Sequence, residues 1–262
     1  MIPYYRIPVI DLGPIPIDPW AAFVCVGFVV GMEVARARGR RLGLDVRDVV
    51  DGVVFTVGFG FLVGHLVHVL AYHPEQLREQ GPIVLLKLWA GFSSFGGFLG
   101  ALLGVVLFYR VLRKRPFWPH ADVIMYGLPF GWFFGRLGCA SVHDHLGRLS
   151  TFPLAIRFPE IGPRHDLGLY EAILTLGIAI VFWVVGRRER AEATFILLWC
   201  FLYGPARFLL DFLRAEDLAG SDLRYAGLTP AQYGCIVLVA VGLALVGWRR
   251  TRRDETPAAP VP

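Results

Sequence analysis

Seven stretches of mostly apolar residues, each near the 20 or so that a helix needs to cross a bilayer, constrain this chain more than any motif it carries. They fall at about 20–35, 49–72, 90–109, 121–139, 169–186, 193–213 and 230–248. Between them they account for most of the chain, which is 55% hydrophobic and only 18% charged, so a bilayer rather than water is its expected solvent. The expected fold is all-α: a polytopic membrane protein of about seven transmembrane helices, residues 1–253 forming one transmembrane domain. An external loop is expected at about 140–168, where Thr151 to Pro159 could form a short hairpin or an interfacial segment. Residues 254–262, rich in Pro and Ala, read as a disordered cytoplasmic tail. Trp20 and Trp248 flank the first and last stretches, as amphipathic rings do at a bilayer edge. Glycines crowd the second and third (Gly52, Gly58, Gly60, Gly64; Gly96, Gly97, Gly100, Gly104), which predicts close packing of those two helices.

Charge alternates from one connection to the next. Of the 26 Lys and Arg residues, 16 cluster after the first, third, fifth and seventh stretches, whereas 8 lie on the opposite side among acids such as Asp11, Glu75, Asp217 and Asp222. The positive-inside rule then puts the N-terminus outside and the C-terminus in the cytoplasm. This distribution assigns the formal charge of +5 to membrane orientation, and no nucleic-acid partner is expected. The proline-rich start, with no basic n-region, does not read as a cleavable signal peptide. Cys25, Cys139, Cys200 and Cys235 contain no CxxC pair and read as small hydrophobes.

Two basic residues, Arg136 and Arg207, belong to neither set of connections, and a charge at membrane depth usually marks a site. Tyr203, Arg207, Asp211 and Arg214 are spaced to form one polar stripe on a helix, near the outer end of the sixth span. Arg136 stands between Gly135 and Gly138 near the outer end of the fourth, where it is either an interfacial anchor or a fork of donors matched to a phosphate. His143-Asp144-His145 follows, readable as an imidazole base with an orienting carboxylate, as half of a metal site, or as a solvated loop. His65 and His68 suit either helix–helix hydrogen bonding or a site, and Glu171 could partner one of the outer arginines. Positive groups from two helices beside imidazoles suit an anionic lipid headgroup.

These residues resemble the prolipoprotein diacylglyceryl transferases of bacterial inner membranes, over roughly residues 15–250. The likeness is carried by Leu88-Trp89 with Ser94 to Gly100, by Gly135-Arg136-Leu137-Gly138 with Gly147-Arg148, by Leu169-Tyr170-Glu171, by Tyr203-Gly204 with Arg207, Asp211 and Arg214, and by Gly227-Leu228-Thr229 with Gln232. The chain departs from the family's pattern where a His usually precedes Gly96-Gly97 and where Asn usually stands at Cys139. The resemblance implies transfer of the diacylglyceryl group of phosphatidylglycerol to the lipobox cysteine of preprolipoprotein signal peptides, with release of glycerol phosphate. It implies a multi-pass protein of the bacterial inner membrane, with Arg136, Arg207, Tyr203, Asp211, Arg214, Gly97 and Gly138 binding substrate. His143, His145 and His65 are the candidates for the catalytic base, with Asp144 as the orienting carboxylate, and no cofactor or metal is required. The rival readings are an inactive paralogue that binds anionic lipid, and a small-anion or lipid transporter.

Overall fold

The computed structural model describes residues 1–254 apart from Pro14, Trp89, Ala219, Gly220, Asp222 and Leu223, and does not describe the side chains of Leu12, Ile15, Ser94, Phe95 and residues 252–254. Trp89, Asp222 and tail residues 255–262 therefore lie outside the described residues, and Asp254 is the last residue of a helix.

The chain is mostly helical. Three short strands, β1 (Ile2–Pro3), β2 (Ile10–Leu12) and β3 (Ile15–Ile17), precede α1 (Pro19–Arg41) and α2 (Val46–Val67). Then come α3 (Pro74–Gln80), α4 (Ser94–Val106) and α5 (Phe117–Val142). Strands β4 (Leu146–Leu149), β5 (Ile156–Phe158) and β6 (Gly162–Asp166) lead to α6 (Leu167–Val185), α7 (Thr194–Leu210) and α8 (Pro230–Asp254). Each apolar stretch of the sequence lies largely on a helix. Five helical segments among the described residues are long and apolar enough to cross a membrane: Pro19–Arg41, Val46–Tyr72, Leu167–Val185, Thr194–Leu213 and Pro230–Thr251. The other two stretches fall outside that set. The third begins its helix only at Ser94, and its apolar part, Gly96–Leu112, is shorter. The fourth, α5, is 26 residues long but carries His120, Asp122 and Arg136.

The described chain falls into two compact units, Val34–Ile124 and the remainder. In the first of these, α2 packs on α4 through the glycines. A Cβ at Gly96 would sit 2.6 Å from Val67 Cβ, and one at Gly100 would sit 2.6 Å from Val63 Cβ and 3.0 Å from the Gly60 Cα, so side chains there would force the helices apart. Beyond α4, Arg113 and Arg115 reach Asp51 and Asp48 of α2, each at 2.5 Å, so part of the basic cluster after the third stretch is paired.

The remaining unit, Met1–Glu33 with the chain from Met125, contains the sheet and α6–α8. Here α1 and α5 touch backbone to backbone: a Cβ at Gly27 would lie 2.5 Å from the Gly131 carbonyl oxygen, and one at Gly131 equally close to that of Gly27. The expected external loop contains β4, β5 and β6, joined in the order β1-β5-β6-β4, with β1 parallel to β5 and the other pairs antiparallel. The hairpin lies further along than Thr151 to Pro159, because β5 folds back onto β6 through a turn that ends at Gly162 with φ 77°.

Candidate functional site

The stripe on α7 survives as a continuous helical face that tightens into a 3₁₀ turn at Asp211–Leu213. Across from it, Asp166 caps α6 by accepting from the Leu169 N–H at 2.9 Å, so the first turns of α6 present Glu171 to the same interior. The start of α8 is fixed by a reciprocal cap: the Thr229 N–H donates to Gln232 Oε1 at 2.9 Å, and the Gln232 N–H to Thr229 Oγ1 at 3.2 Å. The Gln232 amide also donates to the Phe208 carbonyl at 3.1 Å, tying α8 to the end of α7.

These helices assemble one chain of alternating charge. Glu171 is fully buried; its Oε2 lies 3.1 Å from Arg136 Nε and its Oε1 3.0 Å from Arg207 Nε. Tyr203 donates its hydroxyl to Oε2 at 3.0 Å. Arg207 continues to Asp211 at 2.6 Å, Arg214 meets the same carboxylate at 3.1 Å, and Thr229 donates its hydroxyl to the other oxygen of Asp211. Three guanidiniums against two carboxylates leave a positive surplus. A single buried carboxylate thus holds Arg136 and Arg207 at a fixed spacing, Nε by Nε.

Arg136 also closes the other end. Its Nη1 lies 3.4 Å from His145 Nε2 and 3.9 Å from Cys139 Sγ, and its guanidinium stacks 5.0 Å from the Trp132 ring. His145 Nδ1 is hydrogen-bonded to Asp144. Burial presses the His145 imidazolium down, but hydrogen bonds to Asp144 and Cys139 and the Asp144 charge outweigh it and lift its pKa to about 9.

The other expected site residues take different places. His143 has φ 54°, its Nδ1 lies 2.6 Å from the buried Asp166, its Nε2 3.1 Å from the Tyr5 carbonyl, and its ring sits against Tyr4 and Phe158. It is a strut between the N-terminal segment and the cap of α6, with both nitrogens committed. Asp144 orients His145 rather than His143. His65, in the Val34–Ile124 unit, is fully buried with Nδ1 3.0 Å from the Gly91 carbonyl and Nε2 2.9 Å from that of Val84, so both ring nitrogens are engaged by backbone. Gly97 and Gly138 are packing glycines: a Cβ would meet the Phe92 ring at 2.4 Å at the former and the Trp20 carbonyl oxygen at 3.1 Å at the latter. Cys139 is buried, as expected of a small hydrophobe, yet its sulfur faces a guanidinium and an imidazole. The structure adds Asp166, Thr229 and Gln232 as the residues that fix the helix ends around this interior. Their signals were present as a carboxylate just before an apolar run and a Thr-x-x-Gln ahead of another.

An interior chain of Arg136, Glu171, Arg207 and Asp211 on three helices joins motifs that are far apart in sequence. The pattern of the prolipoprotein diacylglyceryl transferases matches residues 8–248. The chain belongs to that family. It is 34% identical to the phosphatidylglycerol-prolipoprotein diacylglyceryl transferase of Nitratidesulfovibrio vulgaris over 99% of this chain and 100% of that protein. It is 30% identical to the protein of the same name from Chromohalobacter salexigens, over 92% of this chain and 91% of the relative. A third, from Pseudomonas paraeruginosa, is 29% identical over 95% of each. A multi-pass membrane transferase of this family has, in this chain, its charged interior at the C-terminal ends of α5 and α7 and the N-terminal end of α6.

Proposed function

We propose that this chain transfers the diacylglyceryl group of phosphatidylglycerol to the thiol of a lipobox cysteine in preprolipoprotein signal peptides, releasing glycerol phosphate. The observation that supports it best is the pair of guanidiniums held by Glu171, 3.1 Å and 3.0 Å from its two oxygens. A carboxylate gripped on both sides marks a place where an oxyanion is stable, and a phosphodiester brings two oxygens of the same kind. As the C–O bond of the lipid breaks, negative charge grows on the phosphate oxygen. Donors already in position stabilise it without having to reorganise. The acceptor thiol is met at the corner of Arg136, Asp144 and His145, where a fixed positive charge favours the thiolate, which is the nucleophile. The setting is the bacterial inner membrane, with residues 1–253 acting as one transmembrane domain, the N-terminus outside and the C-terminus in the cytoplasm.

Purified protein, given phosphatidylglycerol and a lipobox peptide, is expected to yield a thioether-linked diacylglyceryl peptide and glycerol phosphate. Arg136→Ala and Arg207→Ala should each lower turnover by about 10²-fold or more, the scale of losing one preorganised donor to a developing anion. Arg250→Ala should match wild type. Lipid binding without product would replace this reading with that of a non-catalytic lipid binder.

A further inference from the structure

The two ring nitrogens of His145 lead to different places. Nδ1 is hydrogen-bonded to Asp144, whereas Nε2 lies 3.4 Å from Arg136 Nη1, beyond the usual range of about 2.7–3.2 Å for such a bond. A guanidinium has no lone pair to offer, so in this arrangement Nδ1 carries the hydrogen and Nε2 presents its lone pair. His143 and His65, by contrast, hold short bonds on both nitrogens. The backbone fixes the ring. His143 takes the left-handed conformation at φ 54°, and the Asp144 N–H bonds back to the Cys139 carbonyl at 3.4 Å, which is the six-to-one bond of a Schellman cap. The His145 carbonyl then accepts from the Leu167 N–H at 3.0 Å, tying the returned chain to the start of α6. Side-chain exposure falls from 39% at Asp144 to 23% at His145, 14% at Arg136 and zero at Glu171, so the imidazole stands between solvent and the buried carboxylate.

We propose that His145 is the catalytic base that takes the proton of the acceptor thiol on Nε2, with Asp144 as the positioning residue that holds Nδ1. The assignment rests on the transferase reading and adds to it the group that ionises the nucleophile. A base must stand within hydrogen-bond reach of the proton it takes, and the ring already holds one sulfur in hydrogen bonding, that of Cys139. With a pKa of about 9, His145 holds a proton more tightly than an ordinary thiol, which ionises at about 8.5, so transfer from sulfur to ring runs downhill. The S–H proton passes to Nε2, and the sulfur's electron pair forms the bond to the glycerol carbon. The C–O bond to phosphate breaks with its electron pair on oxygen, and that charge meets Arg136 and Arg207. The ring then gives its proton to solvent, leaving a thioether and glycerol phosphate.

The test gives full-length protein in detergent phosphatidylglycerol and either of two lipobox peptides under reducing conditions. One carries cysteine; the other carries selenocysteine, whose selenol is already ionised at neutral pH and needs no base. His145→Ala, shown to fold by thermal unfolding, should lower turnover of the cysteine peptide by about 10²-fold or more, the scale of a lost general base, and that of the selenocysteine peptide by less than about tenfold. His145→Gln, which keeps a hydrogen bond but takes no proton, should be as slow on cysteine as His145→Ala. Asp144→Asn should show the same split between the peptides in smaller measure. Equal losses on both peptides, or full cysteine turnover by His145→Gln, would make the ring structural and overturn the assignment while leaving the transferase intact. A diacylglyceryl adduct on Cys139, read as a gain in intact mass, would give the imidazole to the chain's own thiol and overturn it as well. Wild type that turns over neither peptide would overturn the transferase reading and this assignment with it.

Discussion

Glu171 shows how much can depend on one side chain. It is a carboxylate with no exposed surface, touched by Arg136, Arg207 and Tyr203. Removing one partner from a buried ion pair leaves the others uncompensated and costs about 3–5 kcal/mol. Glu171→Gln keeps the shape and deletes the charge. It is expected to lower stability on that scale in thermal unfolding, and to let the two guanidiniums repel each other, so turnover should fall even where the folded fraction is restored by lower temperature. Unchanged turnover would mean that the spacing of the arginines is set elsewhere. His143 and His145 separate by the same logic. The first has both nitrogens occupied by Asp166 and Tyr5, the second faces Arg136. Two imidazoles two residues apart look equivalent in a sequence, because nothing there says that the first occupies the left-handed turn that ends α5.

At the level of elements, glycine and capping carry the architecture. The contact of α1 with α5 depends on Gly27 facing Gly131, where an added Cβ would sit 2.5 Å from a carbonyl oxygen. Gly131→Leu should therefore destabilise the fold by about 1–3 kcal/mol, the usual cost of overpacking, measured as a fall in unfolding midpoint in detergent. The matching change at Gly177, where a Cβ meets nothing within 4 Å, should have little effect. The sheet is tied to the segment after α7 by Arg164, which holds Asp217 with Nη1 at 2.9 Å and Nη2 at 2.5 Å. Hydrogen bonding from Arg164 holds the Asp217 carboxyl below the ordinary carboxylate range. A depressed carboxyl contributes stability that is present above its unfolded pKa of about 4 and disappears as pH falls through its folded value. The stability advantage of wild type over Asp217→Asn should thus be complete at neutral pH and shrink below about pH 4. An advantage that persists unchanged in acid would assign it to something other than this ion pair.

For the whole molecule, orientation is the property that a membrane imposes and that charge in the connections encodes. Reporter fusions after Arg188 and Arg250 are expected to read as cytoplasmic, and fusions at residues 150–158 as external. An external signal from the C-terminal fusion would refute the seven-span count. The helices and their order were legible in the sequence, because a bilayer crossing requires about 20 apolar residues and such runs stand out along the chain. So were Arg136 and Arg207, since charges inside such runs stand out, and the i,i+4 pairing of Arg207 with Asp211, since it follows from helical spacing alone. The meeting of α5, α6 and α7 on Glu171, the withdrawal of His65 and His143 into structural roles, and the return of Asp144 and His145 onto Cys139 were decided only by the tertiary structure. Each depends on where helix ends stop and how chain reversals aim their side chains, and hydrophobic periodicity carries no information about contacts between distant segments.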